Sequence, residues 1–247
     1  MQIKQMGKEK IKLSKKNLPK KGNQERRNFN IADLRALSDG NTVEGHPAVY
    51  DQVTNIAGWF NEVIERGAFN NTDFTDVLFS VNHDLDKIPL ARSRNNNANS
   101  TLQLQVDDTG LAMKANLDIA NNADAKSLYS AISRGDINGM SFIFWVSDEE
   151  WEGLDTDMPT RHIRAISKVQ EVSAVSFPAY TGTDINARDQ FALDSAKKAL
   201  DNARNKELDS SRQQREQTNK NNSDSEKREQ LEFEKLKYQI LIDLERK

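Results

Sequence analysis

TLQLQVDDTGLAMKANL, running from Thr101 to Leu117, is the stretch that decides the fold. Leu102, Leu104 and Val106 alternate with polar residues, and a second run, Leu111 to Leu117, begins after Asp107-Asp108-Thr109-Gly110. A period of two puts one face of each run in a core, and a short Asp- and Gly-bearing link between two such runs reads as an antiparallel hairpin, with Gly110 free to take a positive φ. Outward from this hairpin, Val43 to Tyr50, Val77 to Val81, Met140 to Val146 and Val169 to Phe177 are likewise short, rich in β-formers and bounded by Gly, Asn, Asp or Pro. One helix interrupts them, capped by Asn121 or Asn122, carried by Ala125, Leu128, Tyr129 and Ile132, and closed at Gly135. No parallel βαβ rhythm is visible. The expected class is α+β, mainly antiparallel, a sheet or barrel with few helices.

The chain has 247 residues, of which 36% are hydrophobic, below the share of a fully packed domain. The deficit lies in the tails. Residues 1–27 carry ten Lys or Arg against two Glu, residues 28–186 eleven against 23 acids, and residues 187–247 fourteen against 13. A basic arm expected to be disordered (1–27) therefore precedes an acidic domain (28–186). Residues 187–230 follow as a polar linker or mobile helix, in which 201–230 hold only Ala203 and Leu208 as apolar residues. In 231–247, Leu231, Phe233, Leu236, Ile240, Leu241 and Leu244 recur at the spacing of an amphipathic helix. There is no cysteine, which excludes disulfides, thiolate metal sites and a cysteine nucleophile. No apolar run reaches the length of a membrane span and no signal-type stretch follows the basic residues, so no membrane partner is expected. The arm lacks interleaved aromatics for base stacking, and nucleic acid is not expected as a partner.

With three histidines in the chain, the search for a general base is short. His83, in SVNHDLDKIPLAR, ends an alternating strand and opens a polar loop, where scaffolds present reactive groups. His46 lies inside a strand beside Pro47, and His162 follows an acidic loop. A histidine base calls for a hydroxyl nucleophile, and Ser141 in INGMSFIFWV has a glycine two residues upstream and a buried strand after it. An ordinary turn before a core strand gives the same pattern. Glu171, in KVQEVSAVSF, shares a strand face with Val169, Ser173 and Val175; an inward carboxylate needs a partner such as histidine, whereas an edge-strand Glu does not.

The blocks VEGHPAVYD, GWFNEVIERGAF, LFSVNHDLDKIPLAR, SRGDINGMSFIF and EVSAVSFPAY stand in one order across the domain. In that order the chain resembles the prohead, or capsid maturation, protease family of tailed bacteriophages. The resemblance implies a serine endopeptidase with a herpesvirus-protease-like β-barrel and surrounding helices, with His83 as base, Ser141 as nucleophile and Glu171 as third member. Herpesvirus relatives use a second histidine there, which keeps His162 as a competitor and Asp84 as a more distant one. Amides near Met140 and Ser141, or Arg164, are the suggested oxyanion donors. No metal or cofactor is implied. The implied substrates are the major capsid and scaffold proteins, and the enzyme itself, cut inside the procapsid in the host bacterial cytoplasm; a homodimer stays open by analogy. The rival reading is an inactive scaffold or capsid-assembly protein acting through its C-terminal helix.

Overall fold

The computed structural model describes residues 24–29, 33–176 and 190–245. The chain divides into two compact units, Met1–Ser195 and Ala196–Lys247. In chain order the elements are β1 (Gln24–Phe29), β2 (Arg35–Ala36), β3 (Thr42–Val49), β4 (Thr54–Ile56), β5 (Phe60–Ile64), β6 (Asp76–Val81), β7 (Ala91–Arg94), β8 (Leu102–Val106), β9 (Gly110–Asn116), α1 (Ala123–Ser133), β10 (Gly139–Glu152), β11 (Thr160–Val175) and α2 (Gln190–Glu245).

The expected hairpin is β8 and β9, with Leu104 opposite Met113. At its turn the constraint on Gly110 is steric. A Cβ there would lie 2.2 Å from the Ala48 carbonyl oxygen, because β3 passes directly alongside. The expected helix is α1, with the Asn122 side chain accepting from the amides of Asp124 and Ala125, and Gly135 at φ 79° just past its end. Leu128 and Ile132 turn inward.

Strands β2, β3, β9 and β8 make a four-stranded sheet, and the other seven strands a second, with β1, β10, β11, β5 and β4 in that order and β6 and β7 branching from β11. Among the described residues these are two sheets and no closed barrel, a correction to the barrel expected above. The reason is visible at the branch: β5 and β6 share one side of β11 at different heights, so the hydrogen-bonded ladder forks instead of returning on itself. Both pairings are parallel, which the strand pattern had not indicated. One core joins the sheets and α1 through residues such as Phe79, Leu111, Leu128 and Phe142, with the Phe142 and Phe144 rings stacked 4.1 Å apart.

Two strands run far beyond their apolar segments. β10 continues through Ser147–Glu152 and β11 starts at Thr160, so the acidic loop that His162 follows is the turn at residues 153–159, closing the far half of a long hairpin with bulges between Ile143 and Glu149. Asp and Glu are poor strand formers. Cross-strand ion pairs hold this half, with Arg161 bonded to Glu149 and Arg164 to Glu150. The basic arm also differs from expectation: Gln24–Arg27 belong to β1, which pairs with β10, and the earlier arm residues lie outside the described set. Glu25 and Arg27 are buried with Glu62 and Arg161, all 1 to 2% exposed. Arg27 Nε meets Glu62 at 2.6 Å, and Arg161 Nη1 meets Glu25 at 2.6 Å and Glu62 at 2.9 Å. Burial pushes the Glu25 carboxyl up, but the charges of Arg161 and Arg27 outweigh it and hold the group below its ordinary value. Charge alone had marked this segment as solvated.

The second unit is helix throughout its described residues, 196–245. The polar stretch expected as linker or mobile helix and the amphipathic segment after it are continuous in one helix of 56 residues. Leu231 and Phe233 are more than half exposed; the remaining four side chains of that apolar stripe lie outside the described set. Among the described residues no helix is long and apolar enough to cross a membrane.

Candidate active site

Three strands bring three serines abreast. Ser141 on β10 is in register with Ser173 on β11, which is in register with Ser80 on β6. Residues abreast on neighbouring strands share a face, and positions two apart on one strand do too, so Glu171 joins that row. All four side chains are buried, Ser141, Glu171 and Ser173 completely.

His83 reaches the row from the loop after β6. Asn82 and His83 both adopt left-handed backbone, with φ 51° and 58°. Each such conformation costs on the order of 1 kcal/mol for a non-glycine residue and persists only where the surroundings fix it. Here the Asn82 amide donates to the Ala174 carbonyl at 2.9 Å, its side chain exchanges hydrogen bonds with Ser176, and the His83 amide donates to Ser173 Oγ at 3.0 Å. The chain is thereby folded back over the serine row.

The imidazole spans it. Nδ1 lies 2.7 Å from Glu171 Oε2, and Nε2 lies 2.5 Å from Ser141 Oγ. Glu171 Oε1 accepts from Ser80 Oγ, which in turn lies 3.1 Å from Ser173 Oγ. One assignment of hydrogens links His83, Ser173, Ser80 and Glu171 in a single chain: the His83 amide to Ser173, the Ser173 hydroxyl to Ser80, the Ser80 hydroxyl to Glu171, and Nδ1–H to Glu171. Nε2 is then left as the acceptor facing Ser141. Ser141 Oγ also lies 2.8 Å from the Arg27 carbonyl of β1, so two acceptors compete for one hydroxyl hydrogen.

The structure brings together His83, Ser141 and Glu171, and leaves the alternatives outside. His162 sits at the opposite end of β11, beside Glu65 and Glu152, nine residues from Glu171 and about 30 Å away at strand rise. Asp84 follows His83 but is exposed, and Nδ1 already has Glu171. His46 is held between Asp33 and Asp107, which tie β3 to the hairpin turn. The suggested oxyanion donors are not presented: Arg164 pairs with Glu150 and Glu65, and β10 at Met140 and Ser141 has a partner strand on both sides. Sequence reading missed Ser80 and Ser173. The signal for them is positional: Ser80 lies three residues before His83 and Ser173 two after Glu171.

A hydroxyl, an imidazole and a buried carboxylate in hydrogen-bond succession form the kind of constellation that serine hydrolases use, recognised by geometry and not by chain order. The chain belongs to the family of caudovirus prohead serine proteases, whose model matches residues 30–202 and so takes in all three groups. No curated protein matches the chain. Among solved structures, the bacteriophage T4 capsid assembly protease gp21 is similar at 12% identity, over 63% of this chain and 98% of that one. Its TM-score is 0.35, too low to argue a shared fold.

Proposed function

We propose that this chain is a serine endopeptidase of procapsid maturation, cleaving capsid and scaffold subunits and itself, with Ser141 as nucleophile, His83 as general base and acid, and Glu171 as the group that orients the base. The observation that carries the assignment is the unbroken contact from Ser141 Oγ through His83 to Glu171. Ser141 Oγ attacks the scissile carbonyl carbon as Nε2 takes its proton; the imidazolium returns that proton to the leaving amine, and water repeats the sequence on the acyl-enzyme. Glu171 stabilises the imidazolium and fixes its tautomer. Burial serves this step, since the carboxylate acts where water does not screen it. The same burial leaves Ser141 with no exposed surface, so a carbonyl carbon reaches Oγ only after the contact with the Arg27 carbonyl of β1 gives way.

Family membership together with this chemistry supports the proposed substrates and the procapsid interior as the site of action. Co-expression with the capsid and scaffold proteins of the same phage tests the proposal. The wild-type chain yields shortened subunits on a gel, and Ser141→Ala and His83→Ala leave them full length. Equal processing in wild type and Ser141→Ala refutes it. Assembly that proceeds normally with Ser141→Ala but fails without α2 favours the rival, an inactive assembly factor whose helix exposes Leu231 and Phe233.

A further inference from the structure

A cavity of about 370 Å³ opens beside the serine row, between the loop that follows His83 and helix α1. Ser80 and Asn82 are part of its lining: Ser80 bonds the Glu171 carboxylate and Asn82 directly precedes His83. The wall is aliphatic, made of Ile88, Leu90, Leu128, Ala131 and Ile137, the last only four residues ahead of Ser141. Charge is confined to Asp84, Lys87 and Asp124, whose side chains are exposed; Lys87 reaches Asp124 from loop to helix at 3.8 Å. That pair is 65% exposed on both sides, so it holds the two walls together only weakly. Ile88 is 83% exposed, an aliphatic side chain on the lining with nearly all its surface in water.

We infer that this cavity receives an aliphatic side chain of the polypeptide substrate, with Ile88, Leu90, Ala131 and Ile137 determining the preference. The inference rests on the protease reading above and gives it a substrate class. A chain whose carbonyl lies at Ser141 lies beside His83, and among the described residues this aliphatic cavity adjoins the Ser80 to His83 corner. The size lies at the small end of ligand pockets, enough for one large side chain and adjoining main chain. Among the described residues its lining carries no aromatic ring, and two carboxylates against one ammonium at the rim disfavour an acidic side chain.

The test uses the full-length protein and peptides from digested, denatured casein, with new termini read by mass spectrometry against Ser141→Ala. The expected result is Ser141-dependent cleavage with Leu, Ile, Val or Met enriched at one fixed distance from the cut bond. The best-cut peptide is then made with Leu or Ala at that position. The Leu form should have a kcat/KM about tenfold or more above the Ala form in wild type. Ala131→Phe, which fills the cavity, and Ile88→Asp, at an exposed position, should both bring that ratio near one. The ratio is internal to each variant, so poor folding lowers both rates without changing it. Ser141-dependent cutting without the enrichment, or an unchanged ratio in Ala131→Phe, overturns the subsite and leaves the protease reading standing. Absence of any Ser141-dependent cutting overturns both.

Discussion

Glu171→Gln removes one charge from the site and almost no volume, and the hydrogen-bond inventory around it shows what must follow. In the wild-type chain the carboxylate accepts twice, from Ser80 Oγ on Oε1 and from His83 Nδ1 on Oε2. An amide offers one acceptor and two donors. If its oxygen keeps Ser80, its NH2 faces Nδ1, the imidazole must carry its proton on Nε2, and the atom 2.5 Å from Ser141 becomes a donor in place of an acceptor. If the amide flips, Nδ1 keeps its acceptor but the imidazolium loses its counter-charge, and Ser80 must turn its hydroxyl toward Ser173, 3.1 Å away. The first state disables the base and the second weakens it, and neither removes Ser141. The same acid-to-amide change in serine proteases costs about 10⁴-fold in kcat, or about 5 kcal/mol of transition-state stabilisation. The assay is the rate of Ser141 phosphonylation by a fluorophosphonate probe, in which Oγ attacks phosphorus and fluoride leaves, with casein hydrolysis beside it. Thermal unfolding should change little, since the variant is isosteric and Ser80 keeps a partner. A Glu171→Gln protein that reacts with the probe within tenfold of the wild-type rate refutes the role given to Glu171, and an equally inactive protein that has lost its fold would show only a structural one.

Two further predictions concern the frame around the site. Arg161→Ala leaves Glu25 and Glu62 with Arg27 as their sole cationic partner among the groups of this network and leaves Glu149 with none of them, and breaking such a buried set costs about 3–5 kcal/mol. For a domain of this size that lowers Tm by roughly 6–20 °C, measured by calorimetry, and the deficit should shrink in acid as the stranded carboxyls protonate. His46 supplies a pH signature. Burial lowers its pKa, but hydrogen bonds and charge from Asp33 and Asp107 outweigh that and raise it above 6.5. Its contribution is therefore complete below the unfolded value and is lost as pH rises through the folded one. The Tm gap between wild type and His46→Gln should be widest in mild acid and narrow above neutrality; a gap that widens with pH contradicts the assignment.

Ser141, His83 and Glu171 were legible because each stands at a place where local pattern and chemistry disagree: a hydroxyl heading a core strand, an imidazole at a strand end, a carboxylate on an inward face. Ser80 and Ser173 were not, because a serine in a strand is unremarkable until the strand beside it is known. β1 and the outer half of the long hairpin were hidden for a related reason. Their charged residues read as solvated, and only partners far along the chain make burial of Arg27 and Arg161 affordable.

Alternation and turn residues thus determined by themselves the hairpin, helix α1 and the mainly antiparallel class, since these depend on neighbours a few positions apart. The tertiary structure decided the rest: the parallel pairings of β11 with β5 and β6, the forked sheet in place of a barrel, and the contact of His83 with Glu171 while His162 lies beside Glu65 and Glu152. Those depend on which strands lie side by side. Register across β6, β11 and β10, set by long-range packing, places four side chains on one face, and no local period encodes it.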